Sequence, residues 1–176
     1  QKRFLKNTDR SNSLWMTPIE GSKALFVTED PLDAIAHSQL FPGARYAYLC
    51  TGGTSTKAQR EMIHSFSQKF KLPIILGNDN DLAGQLENFK LAYHTANIEY
   101  AINSKTQRVL LTVNGAEREW GKDEIVAALQ AVMKQRPNMI LSIPWAKDWN
   151  DDLRSSKKSI SLRIAENMAR VQIETT

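Results

Sequence analysis

The feature of the sequence that most limits the possible folds is a set of short, uninterrupted apolar runs that alternate with helix-like stretches. The first three runs cover residues 24–28, 46–50 and 72–77. Strands buried on both faces have this pattern, because the helices that connect parallel strands cover both sides of the sheet. Pro31 suits a first helical turn, and the loop at 51–56 ends in good helix caps. The alternation predicts an α/β fold, a Rossmann-like parallel sheet flanked by helices.

The rhythm of strands and helices is interrupted in the second half of the chain. After predicted helices at 31–40, 57–70 and 82–96, residues 97–138 contain an Asn-Gly turn between two β-rich runs, and then a helical pattern. Asn-Gly between such runs is typical of a β-hairpin. We therefore expect an inserted hairpin and helix near 97–138, after which the apolar run at 139–143 returns to the sheet.

The chain divides into three predicted parts. Residues 1–22 are polar and basic and are expected to form a lead-in of low regularity, and residues 23–155 form the main domain. Residues 156–176 carry a predicted C-terminal helix, from about 160 to 173. A chain of 176 residues with 41% hydrophobic residues can bury one substantial core, so one main domain is expected.

Composition argues against several classes of protein. No apolar run approaches the roughly 20 residues of a membrane helix, and no basic-then-apolar leader opens the chain. The single cysteine, Cys50, cannot form an internal disulfide, and the histidines at 37, 64 and 94 lack the spacing of a zinc site. We therefore expect a protein of the reducing cytoplasm with no membrane partner.

Basic residues are concentrated near both ends of the chain, which has a net charge of +4 and an isoelectric point near 9.2. The two groups are Lys2, Arg3, Lys6 and Arg10 at the start, and Arg154, Lys157, Lys158, Arg163 and Arg170 in the last quarter. A basic surface is compatible with a phosphate-bearing partner. Charge runs are more often solvated surfaces, so this feature alone leaves the partner open.

Two aspartates, Asp79 and Asp81, follow the third predicted strand. Residues two apart on a strand point the same way, so both carboxylates would leave the strand end on one face. That spacing suits a hard cation, and Mg²⁺ prefers oxygen ligands and commonly links carboxylates to substrate phosphates. An acidic turn that caps a helix is an equally good explanation of Asp-Asn-Asp, and both interpretations stay open.

Glu29 ends the first predicted strand as Asp79 ends the third, and Asp33 lies four residues further on. Neighbouring parallel strands bring their ends together, and three or four carboxylates in one place repel each other unless a cation is present. Repulsion raises the pKa of one member, and Glu29 is the predicted proton shuttle. Separate helix caps and surface acids are the alternative.

The order of these motifs resembles that of a TOPRIM domain, the metal-binding module of bacterial-type primases, topoisomerases and some nucleases. Residues 25–33 match an apolar strand that ends in Glu with Asp four residues later, and residues 53–56 match the Gly-Thr-Ser-Thr loop of the primase branch. Residues 74–84 match a strand followed by Asp-x-Asp-x-Ala-Gly, and residues 147–151 match Lys-Asp-x-Asn-Asp. The pattern is most similar to primase-like domains in plasmid mobilisation and conjugation proteins.

The resemblance implies a role for each acidic residue. Glu29 would act as general acid or base and join the metal ligands, while Asp79 and Asp81 bind Mg²⁺, for which Mn²⁺ could substitute. Asp33 would support the cluster as a catalytic carboxylate. Two positions depart from the family, since Asp30 stands where primases usually have Gly, and Gln59 stands where they carry an acidic residue.

Three basic residues are candidate phosphate or nucleic-acid ligands. Lys57 and Arg60 lie on the first turn of the helix after the Gly-Thr-Ser-Thr loop, near the expected metal edge. Lys147 lies between Trp145 and Trp149, which could stack on bases, although packing in the core is the commoner role of tryptophan. We expect single-stranded DNA, nucleotides and other domains of a larger polypeptide as partners.

Three hypotheses from different classes remain. The leading one is a Mg²⁺-dependent nucleic-acid phosphoryl-transfer domain, with primer synthesis as its most specific version and a nuclease as a variant. The second is a non-catalytic TOPRIM module that holds DNA or a partner domain, which Gln59 favours. The third is an aspartyl-phosphate phosphatase, which the late position of the Asp-x-Asp pair makes the weakest.

Overall fold

The computed structural model describes residues 9–156 and confirms the predicted alternation of strands and helices. Each of the first three predicted strands is followed by a helix, and the first two of these helices return the chain to the start of the sheet. The strands are β1 (Trp15–Met16), β2 (Ala24–Thr28), β3 (Tyr46–Cys50), β4 (Ile74–Leu76), β5 (Ile98–Asn103), β6 (Arg108–Val113), β7 (Ala116–Trp120) and β8 (Met139–Leu141). The helices are α1 (Pro31–Leu40), α2 (Lys57–Phe70), α3 (Leu82–Ala92), α4 (Lys122–Met133) and α5 (Trp149–Ser156).

The main sheet has five strands in the order β1-β3-β2-β4-β8. Strands β3, β2, β4 and β8 are parallel, and β1 pairs antiparallel with β3 at one edge. Strand β2 is fully buried, with Leu25 opposite both Ala47 and Ile74. The carboxyl ends of four parallel strands therefore meet at one edge of the sheet, where a doubly wound fold places its ligands.

Helices cover both faces of this sheet. On one face, Phe26 and Tyr48 from the sheet pack with Ala34 of α1 and with Trp149 of α5. The Trp149 indole N–H donates to the Gly77 carbonyl oxygen at 2.8 Å, which ties α5 to the end of β4. The larger apolar cluster on the other face includes side chains from α2, α3, α4 and β6. Within residues 9–156, no helix is both long and apolar enough to cross a membrane.

The insertion contains the predicted hairpin and helix, together with a strand that the sequence analysis did not predict. Strands β6 and β7 pair around Asn114 and Gly115, whose φ angles of 51° and 86° suit the Asn-Gly turn. Strand β5 pairs with β6 and completes a three-stranded antiparallel sheet. The apolar alternation of Ile98, Tyr100 and Ile102 was the available signal.

The two ends of the main domain also differ from expectation. The described part of the lead-in contains a 3-10 turn at Arg10–Asn12 and the two-residue strand β1, and its other residues form turns and irregular segments. Helix α5 occupies residues for which no element was predicted, and the Asp148 carboxylate caps it by accepting from the Asp151 N–H at 2.8 Å. The predicted helix at 160–173 and the basic residues before Asp9 lie outside the described residues.

Candidate active site

Five carboxylates lie close to one another where the parallel strands end. Glu29 follows β2, Asp79 and Asp81 follow β4, Asp148 lies in the loop after β8, and Asp33 lies in the first turn of α1. The pKa of Asp79 is raised to about 7, most strongly by burial and then by the negative charges of Asp33, Glu29, Asp81 and Asp148 in that order of size. The structure therefore brings the four predicted acids together, and it adds a fifth.

Asp33 is the most buried member of this carboxylate cluster, at 6% exposure. Burial raises its pKa to about 6, with smaller contributions from the charges of Asp148 and Asp30. The Asn150 side-chain amide donates to Asp33 Oδ1 at 2.9 Å, which opposes that rise and fixes the carboxyl group against α5. The strongly raised pKa values of the cluster thus belong to Asp79 and Asp33, so either group can hold a proton near neutral pH.

Asp148 was missing from the candidate residues, although its motif had been recognised. The position of β8 beside β4 is what brings Asp148 to the carboxylate cluster. Sheet order cannot be read from an apolar run alone, so the sequence did not reveal this neighbour. The usable signal was that Asp148, like Glu29 and Asp79, follows a predicted strand.

Asp81 has a structural role as well as a place in the carboxylate cluster. It is the N-cap of α3, and its Oδ1 accepts from the Gly84 N–H at 2.9 Å. Strand β4 ends at Leu76, so Asp79 and Asp81 lie in a loop, and strand alternation does not set their directions. The capping interpretation of this turn therefore holds for one oxygen of Asp81, while its charge still acts on Asp79.

The backbone of Asp79 is held by close packing and by a chain of buried amides. A Cβ atom at Gly84 would lie 2.3 Å from the Asp79 carbonyl oxygen, so only glycine permits this approach of α3. Asn78 donates to Asn88 at 2.9 Å, Asn88 to Gln85 at 3.3 Å, and Gln85 to the Asp79 carbonyl oxygen at 2.8 Å. These contacts fix where the Asp79 side chain leaves the backbone.

Asn80, between the two aspartates, is bound by three residues from two distant segments of the chain. Its N–H donates to the Lys147 carbonyl oxygen at 2.7 Å, and its side-chain amide donates to the Pro144 carbonyl oxygen at 3.1 Å. The Lys122 ammonium group donates to Asn80 Oδ1 at 3.2 Å. Lys122 thus brings a positive charge from the insertion to the acidic loop.

The carboxylate cluster offers only oxygen ligands to a cation. Among residues 9–156, no group of three or more His, Cys, Asp or Glu side chains has the geometry of a metal site. Carboxylate oxygens are nevertheless the ligands that Mg²⁺ prefers, and Mg²⁺ usually keeps several waters and binds one or two carboxylates. The chemistry of the carboxylate cluster fits such a water-rich site and does not fit a cage made only of protein ligands.

The loop after β3 borders Glu29. The Gly52 N–H donates to the Glu29 carbonyl oxygen at 2.8 Å, and Gly52 and Gly53 have φ angles of 72° and 127°, which other residues rarely adopt. Further along, Ser55 donates from its N–H and its hydroxyl to Glu87 Oε2 at 2.9 and 2.6 Å. The loop is therefore tied to β2 at one end and to α3 at the other.

Buried charges surround Ser55. The Lys90 ammonium lies 2.6 Å from Glu87 Oε1, and the Arg60 guanidinium donates to the Ser55 carbonyl oxygen at 2.9 Å. All four side chains belong to residues that are less than 10% exposed. The structure thus gives Arg60 a role in holding this loop, whereas its contact with phosphate stays a prediction.

The other two predicted phosphate ligands are exposed. Lys57 lies 3.8 Å from Glu61 on the surface of α2, and its side chain is 74% exposed. Lys147 is also exposed, in the loop that receives the Asn80 N–H. Of the two neighbouring tryptophans, Trp149 is buried in the core and Trp145 is 47% exposed.

Gln59 is part of the structural core of the loop and not of the carboxylate cluster. It is 1% exposed, and its side-chain N–H groups donate to the Ser13 and Thr51 carbonyl oxygens at 2.8 and 3.0 Å. Its Oε1 accepts from the Thr56 N–H, which completes a capping box at the start of α2. An acidic residue at this position would face two carbonyl oxygens that need donors.

Gln59→Glu is accordingly expected to lower the free energy of unfolding by about 2–3 kcal/mol at pH 7, because it removes two donors and buries a charge. Urea unfolding measures the change. Gln68→Glu on the exposed end of α2 is the matched control, with an expected change below about 0.5 kcal/mol. A Gln59→Glu variant as stable as the control would contradict this role.

Comparison with known proteins gives one family. Residues 26–109 match a family model described as Toprim-like, while no curated protein and no solved structure gives a significant match. The matched segment runs from β2 into β6 and contains Glu29, Asp33, Asp79 and Asp81. Domains of this kind generally bind Mg²⁺ and act on nucleic acids. The family match and the parallel sheet with acids at its carboxyl edge together support a TOPRIM domain in this chain.

Proposed function

We propose that this domain carries out Mg²⁺-dependent phosphoryl transfer on nucleic acid, as part of a primase-like or DNA mobilisation protein. The observation that carries the proposal is the carboxylate cluster, in which Asp79 is repelled by four other acids. Such a cluster costs stability unless a cation compensates it. The main domain, proposed to span residues 23–155, supplies this cluster, and other domains of a larger polypeptide would grip the substrate.

Each acidic side chain has a proposed role. Asp79 and Asp81 would hold the ion, with Glu29 as the third carboxylate. Bound Mg²⁺, or Mn²⁺ in its place, would neutralise charge on the reacting phosphate. Glu29 takes a proton at its carboxylate from the attacking hydroxyl or water and gives it to the oxygen that leaves the phosphate, so it acts as general base and then as general acid. Asp33 and Asp148 add negative charge beside Asp79.

The basic residues have a proposed role in binding the strand. Lys57 is the first residue of α2, and Lys147 lies in the loop between β8 and α5. Both are near the sheet edge that carries the acids, where each can contact a phosphate of single-stranded DNA. Arg60, which binds the Ser55 carbonyl oxygen, would attract phosphate to the loop after β3 through its charge. Nucleotides are the second proposed ligand, since primer synthesis joins them to a growing strand.

A non-catalytic module that holds DNA or a partner domain is the second candidate function. Two observations favour it: the amide of Gln59 is committed to the α2 cap, and the described acids do not form a three-ligand group. In that case the acids would serve ion-dependent binding without bond formation or cleavage.

Stability measurements with and without Mg²⁺ test the proposed site. Asp79→Asn is expected to raise the melting temperature without divalent ions, because it removes a crowded, half-buried charge. A raised folded-state pKa stabilises the protein below the unfolded pKa of about 3.8, and this stabilisation is lost as the pH rises through about 7. The gain should therefore be larger at pH 8 than at pH 5, by about 1–2 kcal/mol after solvent screening.

The same melting experiment, repeated with Mg²⁺, tests whether the carboxylate cluster binds the ion. Mg²⁺ at ten times its Kd should stabilise the wild type by about 1.4 kcal/mol. Asp79→Asn combined with Asp81→Asn should abolish this response, and asparagine at 81 still caps α3. Asp123→Asn, an exposed acid in the first turn of α4, is the matched control and keeps the response. An unchanged Mg²⁺ response in the double variant would remove the site assignment.

A further inference from the structure

A concave surface distinct from the carboxylate cluster lies along the β1 edge of the main sheet. Its volume is about 330 Å³, and we call it the Trp15 groove. The groove is lined by Trp15, Pro18, Ile35, Tyr46 and Tyr48, together with small side chains, and none of its lining residues is charged. Trp15 is 44% exposed and Ile35 is 45% exposed. Within the described chain, the groove is therefore an open aromatic and aliphatic surface.

The exposed indole is carried by a well-anchored backbone. Trp15 pairs with Cys50 and Met16 with Leu49 in the antiparallel ladder between β1 and β3. The Thr17 N–H donates to the Tyr48 carbonyl oxygen at 3.0 Å, and the Tyr48 N–H donates back to Thr17 Oγ1 at 2.9 Å. Trp15 is therefore held at the rim of a continuous apolar groove that it shares with Ile35 and Tyr46, and a contiguous exposed apolar surface of this kind points to a ligand.

The Trp15 groove lies close to the carboxylate cluster. Trp15 is opposite Cys50, the last residue of β3, and β3 neighbours β2, which ends next to Glu29. Two strand spacings separate β1 from β2, which is roughly 10 Å. On α1, Ala34 and Ile35 line the groove, whereas Asp33 contacts α5 through Asn150. The groove and the cluster therefore flank the same helix, within the reach of a short run of nucleotides.

We propose that the Trp15 groove binds a base of a single nucleic-acid strand by stacking on Trp15, while the phosphates of that strand lie at the carboxylate edge. This inference rests on the proposed function. Aromatic side chains stack on every base, because each base has a π-face, and an uncharged groove suits a base better than a phosphate. A cavity of about 330 Å³ is within the size range of small-ligand sites.

The test compares two strands of equal length and charge by fluorescence anisotropy, one of oligothymidylate and one that lacks its bases. The wild-type chain should bind the strand with bases more tightly. Trp15→Leu should weaken that binding by about 5- to 150-fold, the range that base stacking supplies, and should leave binding of the abasic strand unchanged. Trp15→Phe should restore most of the affinity, because it keeps an aromatic face.

Phe70→Ala is the matched control, since Phe70 is a 41% exposed aromatic residue at the end of α2, and it should leave both affinities unchanged. Equal binding of oligothymidylate by wild type and Trp15→Leu overturns the groove assignment and leaves the proposed function intact. A wild type that binds neither strand also overturns the groove assignment, whereas the proposed function is tested separately by the Mg²⁺ response of the carboxylate cluster. Sedimentation that shows a dimer converted by Trp15→Leu to a monomer would instead assign the groove to a second copy, which also overturns the proposal.

Discussion

Glu87→Ala is expected to lower the free energy of unfolding by about 3–5 kcal/mol, which is among the largest effects of any single change in this domain. The carboxylate of Glu87 is bound by Ser55 and Lys90, and its charge also acts on Arg60. Its removal leaves the buried Lys90 ammonium without its ion-pair partner and weakens the compensation of the Arg60 charge, and it leaves the Ser55 N–H and hydroxyl without their acceptor. Denaturant unfolding at pH 7 measures the loss.

The control for this change is Glu61→Ala. Glu61 also faces a lysine on a helix, but its pair with Lys57 is exposed to solvent. Exposed pairs contribute about 0–1 kcal/mol, so the control should change stability little. A second variant, Glu87→Gln, keeps the shape and one acceptor and should retain part of the lost stability. If Glu87→Ala loses no more than Glu61→Ala, the buried network does not stabilise the loop.

Glu29→Gln is expected to reduce phosphodiester formation or cleavage by about 10²- to 10⁴-fold, the usual contribution of a positioned acid–base group. An amide has nearly the shape of a carboxylic acid but cannot exchange a proton at neutral pH. Glu29 follows the central strand β2, and its carbonyl oxygen is fixed by the Gly52 N–H, so the substitution should leave the fold unchanged. Binding of single-stranded DNA should survive and should weaken steeply with salt.

The assay for Glu29→Gln uses the protein with its native neighbouring domains, with Mg²⁺ and with Mn²⁺. Glu117→Gln, on the exposed strand β7, is the matched control and should keep full activity. Activity of Glu29→Gln equal to that of the control would exclude Glu29 as the proton shuttle. If the wild-type protein binds DNA but neither makes nor cuts a phosphodiester, the non-catalytic module is the better description.

The parts of the fold that could be predicted are those whose signal is local. Strands β2 and β3 have the bounds that their apolar runs predicted. Helix α2 begins after a capping threonine and ends at Phe70, with Lys71 as its C-cap at a φ of 54°. The acids near the strand ends could be found because every parallel strand delivers its carboxyl end to the same edge.

The parts that could not be predicted depend on which elements become neighbours. Asp148 joins the carboxylate cluster only because β8 lies beside β4, and α5 forms where Trp149 reaches Gly77, 72 residues away in sequence. Arg60 was a predicted phosphate ligand and Gln59 stood where the family carries an acidic residue, yet both are buried against the Gly52–Thr56 loop. Burial of this kind depends on packing between α2, α3 and the loop, which no single segment encodes.

The three contacts of Asn80 have a consequence for the order of folding. Its partners, Lys122, Pro144 and Lys147, are between 42 and 67 residues further along the chain. Contacts across such long loops form only after the entropy of closing those loops has been lost, so the turn between Asp79 and Asp81 takes its final form late. A chain whose synthesis has reached only α3 carries the acidic residues without the arrangement that makes them a site. The carboxylates therefore come close together only in a nearly complete domain, whose other contacts offset their repulsion.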